Sequence, residues 1–226
     1  MSEPTALELL GRATRLYREA KLDGDACRCL ERAGDFAAAG WLHRDGHRFA
    51  EAAACFERGG QWLPAAQAHE SARTFDDAAR CYQAAGQPLT AAWLLAHHLG
   101  RPERALALVA ELPVDDASTE LVRALVRARC RAAIRPRDAA REIRRVVTAL
   151  ATGTLSASAQ GGVIARALAL AETINRPDLS AALFAVHSDA VSDWAVWASD
   201  RLGSADGVPA PDPFDDQDQH EESAAR

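Results

Sequence analysis

The 226-residue chain is 48% hydrophobic and 26% charged, with a formal net charge of -6. The acidic balance argues against bulk nucleic-acid binding, and no run of about 18 apolar residues is present to cross a membrane as a helix. Five cysteines, behind an acidic N-terminus MSEPTALELLGR with no hydrophobic signal region, predict reduced thiols and a cytoplasmic location.

From about residue 9 to residue 112 the sequence returns to itself every 26 residues. Ala13, Ala39, Ala65 and Ala91 form one series; Cys29, Cys55 and Cys81 another; Leu30, Phe56, Tyr82 and Leu108 a third. Each unit splits into halves of 13, marked by the small pairs Ala39-Gly40, Ala52-Ala53, Ala65-Ala66, Ala78-Ala79 and Ala91-Ala92. A large residue stands three places before each pair at Phe36, Phe49, Trp62 and Phe75, and Pro88 breaks that series. Phe36, Ala39, Gly40 and His43 lie at i, i+3, i+4 and i+7, one stripe of a helix. Each half is therefore expected to be a helix of about ten residues, with the small pair allowing close approach of its neighbours. Gly34, Gly46, Gly60, Gly86 and Gly100 punctuate the ends, where glycine can take a positive φ. Helices this short are marginal alone and gain stability by stacking.

The phrases AAACFERGG and AARCYQAAG carry a resemblance. The pattern resembles the tetratricopeptide-like superfamily of α-solenoids, and is most similar to the short-helix repeats of soluble NSF attachment proteins. It covers just under half the chain, and its unit is 26 residues rather than the usual 34, without the W-x2-L-G-x2-Y signature. The resemblance implies a protein-binding adaptor in which the first helix of each hairpin lines a concave groove.

Beyond the repeats, Leu112-Pro113 marks a break. Ser118 followed by Glu120 is expected to start a helix running to about Arg135, and Pro136 to open the next. ATGTLSASAQGG (151–162) reads as a small-residue loop with some helix at its end, and VIARALALAETI as a helix. NRPDLSAAL (175–183) echoes GRPERALAL (100–108), a degenerate repeat unit closed by Trp194 and Trp197. Residues 204–226, rich in Asp, Pro, Gln and Ser, are expected to be disordered. The expected division is a repeat array over 1–112, a helical extension with a cap over 113–203, and an acidic tail over 204–226.

The repeat also frames the residues that could carry chemistry. Equivalent repeat positions stand on the order of 10 Å apart, so Cys29, Cys55 and Cys81 should form a ladder that cannot converge on one ion. No stoichiometric zinc is expected, and no metal or cofactor. His43 and His69 fall on the packed stripe, as buried, hydrogen-bonded histidines; His97-His98 ends a helix, where positive character is favourable. No nucleophile elbow, P-loop, zincin or dinucleotide motif is present, so no catalytic residue is assigned.

Nine arginines crowd residues 123–145, and Arg123, Arg127 and Arg131 repeat at i+4 on one face. Three readings stay open for them: a solvated face, a docking site for an acidic protein segment, or nucleic acid, the last weakened by the lack of stacking aromatics. A second candidate surface is the column Arg15, Trp41, Gln67 and Trp93, turned about 150° from the inward stripe, though both tryptophans could equally pack between units. The expected fold is all-α, a right-handed α-α superhelix (solenoid) of short helical hairpins with a 26-residue repeat. The expected function is a non-catalytic scaffold or adaptor for a protein partner, in a cytoplasm of the alanine- and arginine-rich bacterial type. The alternatives are a regulatory subunit of a bacterial ATPase or defence assembly, and a nucleic-acid-binding accessory protein.

Overall fold

The computed structural model describes residues 5–113, 116–155 and 157–186, and every regular element among them is an α-helix. Trp194, Trp197 and the acidic tail lie outside the described residues. The chain divides into two compact units, residues 1–109 and 110–226. No helix among the described residues is long and apolar enough to cross a membrane.

The first unit holds α1 (Ala6–Glu19), α2 (Asp23–Arg32), α3 (Phe36–Asp45), α4 (Phe49–Arg58), α5 (Trp62–Ser71), α6 (Phe75–Ala84), α7 (Pro88–His97) and α8 (Pro102–Ala110). From α2 to α7 the helices start at 23, 36, 49, 62, 75 and 88, and each is ten residues long. The bulky residues Phe36, Phe49, Trp62 and Phe75 are thus the first residues of their helices, and Pro88 takes the same place because the first turn needs no N–H from it. Helices α1 to α7 pack each on its neighbours in sequence. The small pairs lie at those contacts: Ala39, Gly40, Ala52, Ala53, Ala65, Ala66, Ala78, Ala79, Ala91 and Ala92 are all buried. Gly40 shows why: a Cβ there would fall 2.6 Å from Phe56 Cε1, so the buried Phe56 ring occupies the space that any larger residue would need.

The helix ends keep the same beat. Backbone φ is positive at Lys21, Gly34, His47, Gly60, Arg73 and Gly86, one residue in every 13. The residue after each donates its N–H back to the start of the last turn, as in Arg48 N to His43 O at 2.9 Å and Gln61 N to Phe56 O at 2.8 Å. The sequence points to Gly46 as a helix-ending glycine of this kind; instead Gly46 has φ -83 and His47 takes the left-handed place at φ 57. The 13-residue step decides the position, and a non-glycine residue bears a cost of about 1–2 kcal/mol there. Arg73→Gly is accordingly expected to stabilise the first unit by roughly 0.5–1 kcal/mol, the backbone relief being partly offset by the greater freedom of glycine in the unfolded chain. Gly60→Ala should cost about 1–2 kcal/mol by the same argument. Urea titration of both variants measures the pair, and a loss of stability for Arg73→Gly would show that its side chain matters more than its φ.

The second unit holds α9 (Ala117–Arg131), α10 (Pro136–Ala151), α11 (Ala157–Thr173) and α12 (Pro177–Val186). Here α9 also packs on α11 and α10 on α12, besides the sequential contacts, so the four helices share one core built from residues such as Leu125, Ile143, Val147, Leu170 and Leu183. One expectation needs correction. Asp116, not Ser118, caps α9: its carboxylate accepts from Thr119 N and from Thr119 Oγ1, each at 2.8 Å. The segment 151–162 does end in helix: α11 begins at Ala157 and takes Gly161 and Gly162 into its first turns. Val163, Ala167, Leu170 and Ala171 are buried at helical spacing, and that burial outweighs the poor helix propensity of two glycines. The echo between residues 100–108 and 175–183 has a conformational counterpart. Gly100 and Asn175 are both left-handed, at φ 60 and 55, and α8 and α12 both begin at the proline two residues on.

Candidate functional site

The column Arg15, Trp41, Gln67 and Trp93 falls on α1, α3, α5 and α7. Arg15 and Gln67 are exposed, Trp41 is 40% exposed, and Trp93 only 7%. The Trp41 ring meets Phe56 edge-on at 5.0 Å between centroids and carries the Arg44 guanidinium 4.3 Å above it. Trp93 stacks on His97 at 5.1 Å, on a helix buried continuously from Ala91 to Ala96. The histidine pair is accounted for by packing on aromatic rings, since His98 stacks in turn on Phe75 at 4.1 Å.

The arginine stretch is less open than its composition implies. Arg123 is only 7% exposed; its Nη1 donates to Leu112 O at 3.1 Å. Arg127 is partly covered and approaches Glu120 at 3.6 Å, and Arg131 is exposed. The three residues of the predicted face thus sit in three environments. Between α9 and α10 lies a cleft of about 310 Å³ whose lining sets Arg127, Arg131, Arg141 and Arg145 against Glu120, Asp138 and Glu142. Arg145 to Glu142 at 2.7 Å and Arg141 to Asp138 at 3.7 Å neutralise part of its charge.

The cysteines Cys29, Cys55 and Cys81 do keep to a ladder, on α2, α4 and α6. Two of them, however, meet a histidine and a glutamate from neighbouring helices. Glu31, His43 and Cys55 bring their donor atoms within 4.8 Å of one another, and so do Glu57, His69 and Cys81. Each set takes its glutamate, histidine and cysteine from three consecutive helices: α2, α3 and α4 for the first, α4, α5 and α6 for the second.

In the second set Glu57 Oε1 gathers three contacts: His69 Nε2 at 2.9 Å, Cys81 Sγ at 3.1 Å and Arg80 Nη2 at 2.7 Å. Burial by itself would raise the Glu57 carboxyl, but hydrogen bonds from Cys81, His69 and Arg80 outweigh it and hold it below the usual range. Burial, then the adjoining Glu57 carboxylate, push the Cys81 thiol up to about 12. Cys55 is pushed up to about 11 by burial and then by Glu31, and Cys27 is raised by burial against the opposing pull of Arg48. Such thiols stay protonated at neutral pH and are poor nucleophiles.

The residues equivalent to one another in the two sets are held differently. Arg48 and Thr74 stand 26 residues apart, each beside its histidine's Nδ1. Arg48 Nε donates to His43 Nδ1 at 3.0 Å, while Thr74 Oγ1 lies 2.8 Å from His69 Nδ1 and donates to His69 O at 3.1 Å.

No protein-family model, curated protein or solved structure matches the chain.

The residue sets that converge escape a reading of the sequence in steps of 13 and 26. Glu31, His43 and Cys55 are 12 apart, as are Glu57, His69 and Cys81. Each donor therefore stands one place earlier in its helix than the last, five, four and three residues after the small-pair positions Ala26, Ala39 and Ala52. A scan of metal-ligating residues at periods near the repeat would have found both sets. One further unit along, the same places hold Gln83, Leu95 and Ala107.

Proposed function

We propose that the chain is a non-catalytic scaffold that holds a protein partner. Its short helices act as hairpins of 26 residues in a right-handed superhelix of the tetratricopeptide-like kind. The partner lies against the face that carries Arg15, Trp41 and Gln67. The observation that carries this reading is the exposure of Trp41: an indole 40% open, with a guanidinium on its face, has the size and chemistry of an interface anchor. The protonated thiols of Cys55 and Cys81 support a non-catalytic role, since a thiol needs to ionise to act as a nucleophile. The paired arginines of α9 and α10 favour a structural use of that stretch over nucleic-acid binding.

The test is capture of partners from native lysate by the full chain, compared with Trp41→Ala and with Arg127→Glu. Loss of an interface tryptophan costs about 2–4 kcal/mol, or roughly thirtyfold or more in affinity. The specific partner should disappear with Trp41→Ala and remain with Arg127→Glu. The reverse pattern would move the docking surface to the arginine cleft.

A further inference from the structure

We propose that Glu57, His69 and Cys81 form a zinc site, one ion per chain, and that the matching Glu31, His43 and Cys55 set binds none. Zinc takes thiolate, imidazole and carboxylate donors at about 2.0–2.3 Å, which places them about 3.3–3.8 Å apart around a tetrahedron. The donors of the second set already lie within 4.8 Å of one another, two of the separations being 2.9 and 3.1 Å. A small opening of Glu57 from its partners admits the ion. Three protein donors leave a fourth position for water. Calcium and magnesium are disfavoured, since both require more oxygen donors than one glutamate supplies.

The hydrogen bonds around the histidines separate the two sets. Thr74 has one hydroxyl proton, and giving it to His69 O leaves Thr74 Oγ1 an acceptor towards His69 Nδ1. In that arrangement the ring proton sits on Nδ1, and Nε2, 2.9 Å from the Glu57 carboxylate, keeps a lone pair for an ion. Without an ion the set is served by the other tautomer, in which Thr74 donates to Nδ1 and Nε2–H donates to Glu57, so moving the ring proton to Nδ1 opens Nε2 to a cation. A ligating histidine whose other N–H is held by an oxygen is the usual arrangement at metal centres. At His43 the logic inverts. Arg48 is always a donor, so Nδ1 accepts and the proton sits on Nε2, directed at Glu31 Oε1 at 3.5 Å. Because Arg48 can only donate, the first set has no second tautomer and no imidazole lone pair to offer an ion.

Zinc entering the second set displaces the Cys81 thiol proton, and any proton on His69 Nε2, to water; no electron changes hands. Thiolate, carboxylate and ion sum to zero charge. Arg80 keeps Asp77 as a partner at 3.1 Å when it releases Glu57 Oε1. The repeat itself adds support: one unit on, Gln83, Leu95 and Ala107 replace glutamate, histidine and cysteine together.

The experiment is titration of the full, untagged chain, stripped with chelator, with Co2+ and then Zn2+. One Co2+ per chain is expected, with thiolate-to-cobalt charge-transfer absorption in the near ultraviolet that Zn2+ abolishes by displacement. Cys81→Ser and His69→Gln should each remove that absorption, and Thr74→Val should weaken binding about 10–100-fold. Cys55→Ser should keep one equivalent. Arg48→Thr, which gives His43 the surroundings of His69, should raise the count to two, a gain that misfolding cannot imitate. No cobalt absorption at millimolar metal overturns the proposal. So does an equivalent that survives His69→Gln, or one that is lost with Cys55→Ser in a variant whose helical signal is intact.

Discussion

Phe56→Ala is expected to destabilise the first unit by about 3–5 kcal/mol, the range for a buried aromatic removed from a core. The side chain is fully buried, its ring lies over Gly40, and Trp41 meets it edge-on at 5.0 Å. It ties α4 to α3 in an array where each helix relies on its sequence neighbours, so few other contacts can compensate. Gly40→Ala should cost about 1–3 kcal/mol, because the added Cβ would lie 2.6 to 2.9 Å from three atoms of that ring. The double variant is the sharper measurement. With the ring gone, alanine at 40 meets open space and gains about 1 kcal/mol in helix propensity over glycine. Gly40→Ala should therefore change sign in the Phe56→Ala background. Urea denaturation of the four proteins closes the cycle, and simple additivity would mean that the ring and the glycine do not share the contact.

Trp93→Ala should cost about 3–5 kcal/mol, whereas Trp41→Ala should cost about 1 kcal/mol, the worth of an aromatic pair on a half-open ring. The two residues occupy equivalent places in the repeat, so the difference comes from what surrounds them. Trp93 sits in α7, where Ala91 to Ala96 are buried without interruption, and stacks on His97 at 5.1 Å. Trp41 keeps 40% of its surface open. Thermal denaturation of both variants provides the comparison. Equal losses would place both indoles in packing alone and remove the main support for a docking face at Trp41.

What the amino-acid order decides by itself here is local. A bulky residue or proline, then a small pair, recurs every 13 residues, and helices α3 to α7 start on it to the residue. Backbone hydrogen bonds close within four residues, so such a pattern carries its own geometry. The turn after each helix follows the same count, which is why His47 takes the left-handed place although Gly46 stands beside it. Side-chain surroundings are another matter, because they depend on which helix arrives across a gap of 12 to 26 residues. Arg123, Arg127 and Arg131 share a helical face in the sequence, yet one of them is buried on Leu112 O and another reaches towards Glu120. The cysteine ladder shows in steps of 26 and the two Glu–His–Cys sets only in steps of 12, and that the donors converge depends on three helices packing together. The two sets then differ by a single substitution within the repeat, Arg48 against Thr74: a guanidinium only donates and leaves the His43 proton on Nε2, whereas a hydroxyl serves either tautomer of His69.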